Sequence, residues 1–321
     1  MILGLLRAFL VALLTGLLSF GVIRTLLPEP SSTLLSRHAQ ASERETLRSE
    51  LGYQRAWPLA YLDVLNNYAH GNFGRAWTNG EPIGVLLATR LKTSLALMLP
   101  GALLSHLLAL LWALRVRSGL ASLLSHLSMA AGLLLTTLAV QWALCAPSAL
   151  AWFPVFGLDL SSPASYLHGV VAPSLALCLG SFGSLYPFYR ATFARARFST
   201  AARAAQGLGL RGWRLLRARF APTAGVVVAR LMYSLPVQIL AGSVVVESVF
   251  GVPGMGKRGF EAALASDAPL LVAISMLCAL CVACSVALGE WLSAILDPRL
   301  RVSTLRNHAF AARTPVAQVS A

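Results

Sequence analysis

The feature that most constrains this chain is its series of long apolar segments. A helix that crosses the hydrocarbon core of a bilayer needs about 20 predominantly apolar residues. Five segments have that length and composition: about 8–27, 93–114, 122–146, 168–189 and 270–292. A sixth segment, about 224–246, contains Arg230, whose long side chain could carry its charge to the interface. We therefore predict an all-α membrane protein with six transmembrane helices.

The first of these segments could also be a signal peptide, because Arg7 precedes its apolar run. The run continues to Leu27, however, and no small-x-small cleavage site follows it. We therefore predict that residues 1–27 form a retained N-terminal anchor helix. The composition agrees with a membrane protein, since only 12% of the residues are charged, against about a quarter in soluble domains.

The charged residues are divided between alternate loops. One side of the predicted membrane holds Arg7, Arg115, Arg117, the arginines of 190–219 and those of the tail from Arg299. The other side holds 28–92, 147–167 and 247–269. Ten of the twelve carboxylates lie in those three segments: Glu29, Glu43, Glu45, Glu50, Asp63, Glu81, Asp159, Glu247, Glu261 and Asp267. By the positive-inside rule, both termini are predicted to be cytoplasmic.

Positive and negative residues are segregated between the two sides of the predicted membrane. The net charge of +14 therefore does not indicate a nucleic-acid-binding protein. The most basic part of the chain is "TAARAAQGLGLRGWRLLRARFAP" at 200–222, which has no carboxylate. Alanine, leucine and arginine favour helix, and Gly207 and Gly209 interrupt it, so we predict a short helix, a turn and a second short helix. Contact with anionic headgroups is one interpretation of this stretch, and docking of another protein is the other.

Two further motifs have a functional and a structural interpretation. "GVPGMGKR" at 251–258 matches the start of a phosphate-binding loop, but Arg258 stands where the magnesium-binding hydroxyl would be, so a tight turn is favoured. Cys278, Cys281 and Cys284 have the spacing of part of an iron–sulfur site, yet they lie inside an apolar helix and suit helix packing better. No metal site is predicted.

Polar residues inside the predicted spans also have both a functional and a structural interpretation. His106 and His126 have no carboxylate on their helices, so we predict histidines that are satisfied by helix contacts. Glu290 is either a functional carboxylate of the membrane interior or the structural partner of an arginine such as Arg230. The chain contains no arrangement of residues that is typical of an active site.

The spacing within the basic stretch resembles a signature of ABC importer permeases, E-A-A-x3-G-x9-I-x-L-P. Arg203, Ala204 and Ala205 are followed by Gly209 and then Pro222 at the matching positions. The match is partial, since Arg203 replaces the glutamate, Arg219 the isoleucine and Ala221 the leucine.

The sequence resembles permeases of the dipeptide, oligopeptide and nickel type. This resemblance covers about residues 60–301. The stretches that carry it are "GNFGRAWTNGEPIGVLLATRL" at 71–91, "AWFPVFG" at 151–157, "APSLAL" at 172–177, "VVVESVFGVPGMGKRGFEAALASDAP" at 244–269 and "LDPRLR" at 296–301. It implies a type I ABC importer permease fold. It also implies an extracytoplasmic loop segment at 28–92, a permease domain at 93–296 and a cytoplasmic tail at 297–321.

The resemblance further implies two functional regions. A cytoplasmic coupling loop at about 200–222 would dock on an ATPase through Arg203, Ala204, Ala205, Gly209, Trp213 and Pro222. An extracytoplasmic turn would contain Glu247, Phe250, Pro253, Gly254, Gly256 and Asp267. The implied partners are a second homologous permease, two cytoplasmic ATPase subunits, an extracytoplasmic solute-binding protein and membrane lipid. No cofactor is expected in this chain, because ATP and magnesium would bind to the ATPase subunits.

Three hypotheses for the function follow. The first is a permease subunit of a bacterial inner-membrane importer for peptides or related solutes, with nickel complexes and metallophores left open. The second is a self-sufficient secondary transporter, which usually has ionisable residues in the middle of the membrane or inverted repeats. The third is a membrane-embedded enzyme, for which the chain has no catalytic constellation.

Overall fold

The computed structural model describes residues 2–26, 57–115, 119–148, 150, 152–154, 157 and 162–296. The predicted tail at 297–321 lies outside the described residues, as do residues 27–56 of the predicted extracytoplasmic segment. The described part of the chain contains ten α-helices: α1 (Ile2–Leu26), α2 (Trp57–Ala69), α3 (Ile83–Leu114), α4 (Gly119–Cys145), α5 (Pro163–Arg197), α6 (Thr200–Gly207), α7 (Gly212–Phe220), α8 (Ala224–Val249), α9 (Met255–Leu264) and α10 (Ala268–Leu296).

The six long helices are those predicted from the apolar segments. By length and composition α1, α3, α4, α5, α8 and α10 are each able to cross a membrane, so the prediction of an all-α protein with six spans is confirmed. The helix α3 begins at Ile83 instead of residue 93, and α2 was not predicted. Between these two helices, an isolated bridge joins Arg75 to Pro82 and closes the turn that leads into α3.

The helix α5 lies at the centre of the bundle and packs extensively against α3 and α4. The largest core cluster includes Leu97 and Met98 of α3, Ala176 and Leu177 of α5, and Val246 of α8, all of which are buried. The helix α10 packs against α8 on one side and against α1 on the other. The chain therefore forms a bundle in which α1 is the outermost long helix.

Connections between the helices define two ends of the bundle. At one end the Arg197 guanidinium of α5 donates a hydrogen bond to the Leu114 carbonyl of α3 (2.6 Å), and α6 and α7 lie between the end of α5 and the start of α8. We name this the arginine-rich end. At the other end the start of α3 meets the end of α8, where the Arg90 guanidinium donates to the Pro253 carbonyl (2.8 Å). We name this the carboxylate-rich end.

Close contact between α4 and α5 requires a glycine at position 183. A Cβ atom added to Gly183 would lie 2.8 Å from the backbone nitrogen of Met129 and 2.9 Å from the Ser125 carbonyl oxygen. Because both are backbone atoms, the two helices would have to separate. We expect Gly183→Ala to destabilise the bundle by about 1–3 kcal/mol through overpacking.

The measurement is the melting temperature of the purified protein in detergent. Gly119→Ala is the matched control, since a Cβ at Gly119 would meet no other atom within 4 Å. Equal melting temperatures for the two variants would contradict this description of the α4–α5 contact.

Candidate functional site

The arginine-rich end contains the predicted pair of short helices. The Ser199 hydroxyl accepts a hydrogen bond from the Ala202 N–H (3.2 Å) and caps the start of α6. Gly209 has a φ of +70°, a conformation that favours glycine, and the Leu210 N–H bonds back to the Ala205 carbonyl (3.1 Å). The helix α7 then begins at Gly212. The predicted helix, turn and second helix are therefore confirmed.

The inner side of this motif is packed against the bundle. Ala202 and Ala205 on α6 are buried, and the Phe220 ring at the end of α7 meets the Phe193 ring of α5 with centroids 5.2 Å apart. A short 3-10 turn, Ala221–Thr223, then joins α7 to α8. The motif is thus attached to both α5 and α8.

The outer side of the motif is polar and basic. Arg203, Ala204, Arg211, Arg214 and Arg217 are exposed. The apolar side chain of Leu208 at the turn is also 78% exposed. Trp213 belongs to α7 and Pro222 to the 3-10 turn, but their side chains lie outside the described residues. We name the exposed side of α6, α7 and their turn the basic surface.

The carboxylate-rich end contains the predicted turn, built around a buried carboxylate. Glu247, near the end of α8, is fully buried and accepts a hydrogen bond from the Ser94 hydroxyl (2.5 Å) and from the Lys257 N–H (3.0 Å). Ser94 in turn accepts from the Met255 N–H (2.7 Å). Glu247 and Ser94 therefore satisfy free N–H groups in the first turn of α9, where the helix dipole also favours a negative charge.

The glycines of the turn make room for that carboxylate. A Cβ added at Gly254 would collide with the Glu247 carboxyl group, and one at Gly256 would lie 2.7 Å from the Ser243 carbonyl carbon. The residues after Gly254 begin the helix α9, where the sequence indicated only a tight turn. The motif that resembled a phosphate-binding loop thus directs N–H groups of its first turn to the protein's own carboxylate.

A second buried carboxylate connects this turn to the segment before α3. Asp267 accepts hydrogen bonds from the backbone N–H (3.1 Å) and hydroxyl (3.0 Å) of Thr78, and from the Leu270 N–H (3.4 Å) at the start of α10. The Arg258 guanidinium of α9 donates to the same Thr78 hydroxyl (2.8 Å). Phe250 is buried, and the Pro253 carbonyl accepts the bond from Arg90 described above.

Three residues of this network were not among the predicted site residues. Ser94, Arg90 and Thr78 lie 153, 163 and 189 positions from their partners. Serine and threonine are common inside membrane helices and loops, so neither residue stands out before the fold is known. A weak sign was available for Arg90, since a charged residue at the start of a span tends to be bound.

The prediction of a histidine satisfied by contacts between helices is confirmed for His106. His106 is buried, and its Nδ1 lies 2.8 Å from the Tyr189 hydroxyl while its Nε2 lies 2.9 Å from the Ser234 hydroxyl, so it joins α3, α5 and α8. His126 bonds through Nδ1 to the Ser122 carbonyl of its own helix (2.6 Å). Within the described ranges, no group of three His, Cys, Asp or Glu side chains could hold a metal ion.

Arg230, the arginine suggested as a partner of Glu290, makes a different contact in the structure. The Arg230 guanidinium carbon lies over the Phe188 ring of α5, 4.9 Å from its centroid, and the ion pairs of the described residues do not include Glu290. Glu290 instead lines a cavity that also borders Arg7 of α1. Of the two interpretations left open for Glu290, a pair with Arg230 is therefore not found, because the cation–π contact directs Arg230 towards α5.

The two predicted groups of site residues lie at opposite ends of one helix. The basic surface precedes Ala224, and Glu247 lies near Val249, at the other end of α8. A helix of 26 residues is about 39 Å long. The structure thus brings the predicted residues together within each group and connects the groups through α8.

Comparison with known proteins gives one family and several relatives. The family model described as "binding-protein-dependent transport system inner membrane component" matches residues 101–302, more than half of the chain. The oligopeptide transport system permease AppB of Bacillus subtilis is 24% identical over 303 residues, which cover 88% of this chain and 93% of AppB. The glutathione transport system permease GsiC of Pectobacterium atrosepticum is 25% identical over 313 residues, or 94% of this chain and 97% of GsiC.

The family model covers both groups of site residues and the described helices from within α3 to α10. The matches agree with the six apolar helices of the structure and with the resemblance found in the sequence. The chain belongs to the family of binding-protein-dependent transport system inner membrane components.

Proposed function

We propose that this protein is the membrane permease of a peptide importer and that its basic surface docks on an ATPase subunit. The family places it among multi-pass transport components of the inner membrane. Peptide cargo is supported by the relatives, which are named as oligopeptide and glutathione transport permeases. The observation that carries the docking role is an exposed helix–turn–helix whose inner side is packed on the bundle.

The attachment of this motif gives it a mechanical role. A partner that moves the basic surface would displace α5 through the Phe193–Phe220 contact and α8 through the 3-10 turn. Because α5 packs against α3 and α4, the displacement would reach the centre of the bundle. Closure of two ATPase subunits on ATP would in this way alternate the access of a pathway between this chain and a second homologous permease.

The carboxylate-rich end would receive the cargo. Glu247 and Asp267 hold α9, the segment before α3 and the start of α10 in one assembly. A rigid outer rim of this kind suits the docking of a solute-binding protein. Since the rim lies at the far end of α8, motion of the basic surface would be transmitted to it.

Uptake of a labelled peptide tests this proposal. Vesicles that contain this chain, its neighbouring permease and ATPase subunits and the solute-binding protein are expected to accumulate the peptide only with ATP. Uptake by this chain alone, driven by an ion gradient, would indicate the secondary transporter instead. If the vesicles accumulated another solute and peptides did not compete with it, the assignment of peptide cargo would be contradicted.

The orientation in the membrane provides a separate prediction. We expect the arginine-rich end to be cytoplasmic, by the excess of arginine there. A cysteine at Leu264, which is 74% exposed, should react with an impermeant thiol reagent added to whole cells with a permeable outer membrane. A cysteine at Leu208, which is 78% exposed, should react only after the inner membrane is opened.

The unmodified chain is the control for that experiment, since its five cysteines supply the background reaction. Labelling of position 208 from outside, with position 264 protected, would contradict the orientation.

A further inference from the structure

An apolar cavity of about 690 Å³ lies between α1, α8 and α10, away from both groups of site residues. Its volume falls in the range of about 300–1,000 Å³ that is usual for small-molecule sites. Valine, leucine and alanine side chains form most of its wall, among them Val11 of α1, Leu240 of α8 and Val286 of α10. The family relationship and the docking proposal assign no role to this space.

The cavity exists because small residues line the contact between α1 and α10. Ala8 on α1 and Ala279 and Ala283 on α10 leave a gap that larger side chains do not fill. The neighbouring side chains Phe9 and Leu10 of α1 are exposed, as expected of residues that face lipid. The contents of the cavity would therefore be exchanged with the membrane.

Two opposite charges lie in the wall of the cavity near the arginine-rich end. Arg7 belongs to the second turn of α1, and Glu290 lies within the last turns of α10. Both are exposed, and the ion pairs and hydrogen bonds of the described residues include neither. Because a positive and a negative side chain line the same cavity, a ligand that carries one charge of each sign would match both.

The dimensions of the cavity suit one leaflet of a bilayer. Its lining on α10 runs from Ser275 to Glu290, which corresponds to roughly 22 Å along a helix. Half of the hydrocarbon core is about 15 Å thick, and the headgroup lies beyond it. A single acyl chain would thus reach from the charged end to the bottom of the cavity.

We propose that this cavity binds a phospholipid with a zwitterionic ethanolamine headgroup. One acyl chain occupies the apolar space, the headgroup phosphate binds to the Arg7 guanidinium, and the headgroup ammonium binds to the Glu290 carboxylate. The presence of one charge of each sign distinguishes this site from the purely basic pockets between membrane helices that bind anionic lipids. The lipid would join α1 to the rest of the bundle.

Native mass spectrometry of the purified full-length chain tests the proposal. With dioleoyl phosphatidylethanolamine as the probe, we expect one tightly retained lipid per chain. Dioleoyl phosphatidylglycerol, which has the same acyl chains and no ammonium group, should bind at least about tenfold more weakly, because the Glu290 contact is lost. Equal retention of the two lipids would overturn the proposal.

Variants at the charged end separate headgroup recognition from general adhesion. Arg7→Gln and Glu290→Gln should each weaken phosphatidylethanolamine binding about tenfold, and Arg7→Lys should retain most of it. Glu290→Gln should also reduce the preference over phosphatidylglycerol. Unchanged binding in both glutamine variants would contradict the assignment of the headgroup.

A filled cavity supplies a test that does not depend on the charges. Ala283→Phe places a large side chain in the cavity and should remove the retained lipid. Leu280→Phe is the matched control on the same helix, since Leu280 is exposed and does not line the cavity. Equal lipid retention by the two variants would exclude the cavity as the site, and so would a protein partner found in place of the lipid.

Discussion

Replacement of Gly209 by valine is expected to reduce both the ATPase that co-purifies with this permease and peptide uptake by at least about tenfold. Gly209 has a φ of +70° at the turn between α6 and α7. That conformation costs about 1–2 kcal/mol for ordinary residues, and a β-branched side chain is among the least tolerated there. Since about 1.4 kcal/mol is a factor of ten, the turn would adopt its docking shape in a minor fraction of molecules.

Two variants serve as controls for this loss. Asparagine tolerates the left-handed conformation, so Gly209→Asn should keep most of the activity. Gly207→Ala, two positions earlier, changes a glycine that has no neighbouring atom within 4 Å and no left-handed conformation. Abundance in the membrane should be normal in all three. Full ATPase binding by Gly209→Val would show that the docking contact does not depend on this turn.

The second large effect is expected for Glu247→Ala at the opposite end of α8. The change removes the acceptor for the Ser94 hydroxyl and the Lys257 N–H in a fully buried site. Each unpaired buried donor costs about 1–3 kcal/mol, so we expect a loss of about 3 kcal/mol. For a protein of this size the melting temperature should fall by roughly 5–10 °C, and uptake should be lost with it.

Glu261→Ala is the matched control for that variant. Glu261 is on the adjacent helix α9 and forms an ion pair with Arg258 (3.4 Å). The Glu261 side chain is 46% exposed. Exposed pairs contribute about 0–1 kcal/mol, so the melting temperature should hardly change. If both variants melt at the same temperature as the unmodified protein, Glu247 does not support the turn as described.

The spans could be predicted from the sequence because the bilayer imposes one dominant rule. A segment of about 20 apolar residues has few alternatives to a transmembrane helix. The α6–α7 motif could also be predicted, since Gly209 interrupts a run of good helix formers. In each case the signal lies within a short stretch of chain, so no knowledge of the remaining fold was needed.

The contacts that join distant parts of the chain could not be predicted in this way. In the sequence, Ser94 cannot be distinguished from other small residues of an apolar helix. Its role depends on Glu247, 153 positions later. Glu290 and Arg230 illustrate the same limit, because the sequence left open whether these two charges near one interface form a pair. The Phe188 ring, 4.9 Å from Arg230, provides the contact instead. The start of α3 at Ile83 was missed because its first residues are less apolar than those of the span itself.

The central claim is that the basic surface contacts the ATPase, and site-specific photo-crosslinking tests it directly. A photoreactive residue at Leu208, which is 78% exposed at the turn, is expected to crosslink to the ATPase subunit in native membranes. The same residue at Leu264, which is 74% exposed at the other end, should not. Crosslinks from position 208 to lipid alone, with the ATPase captured from another part of the chain, would contradict the account.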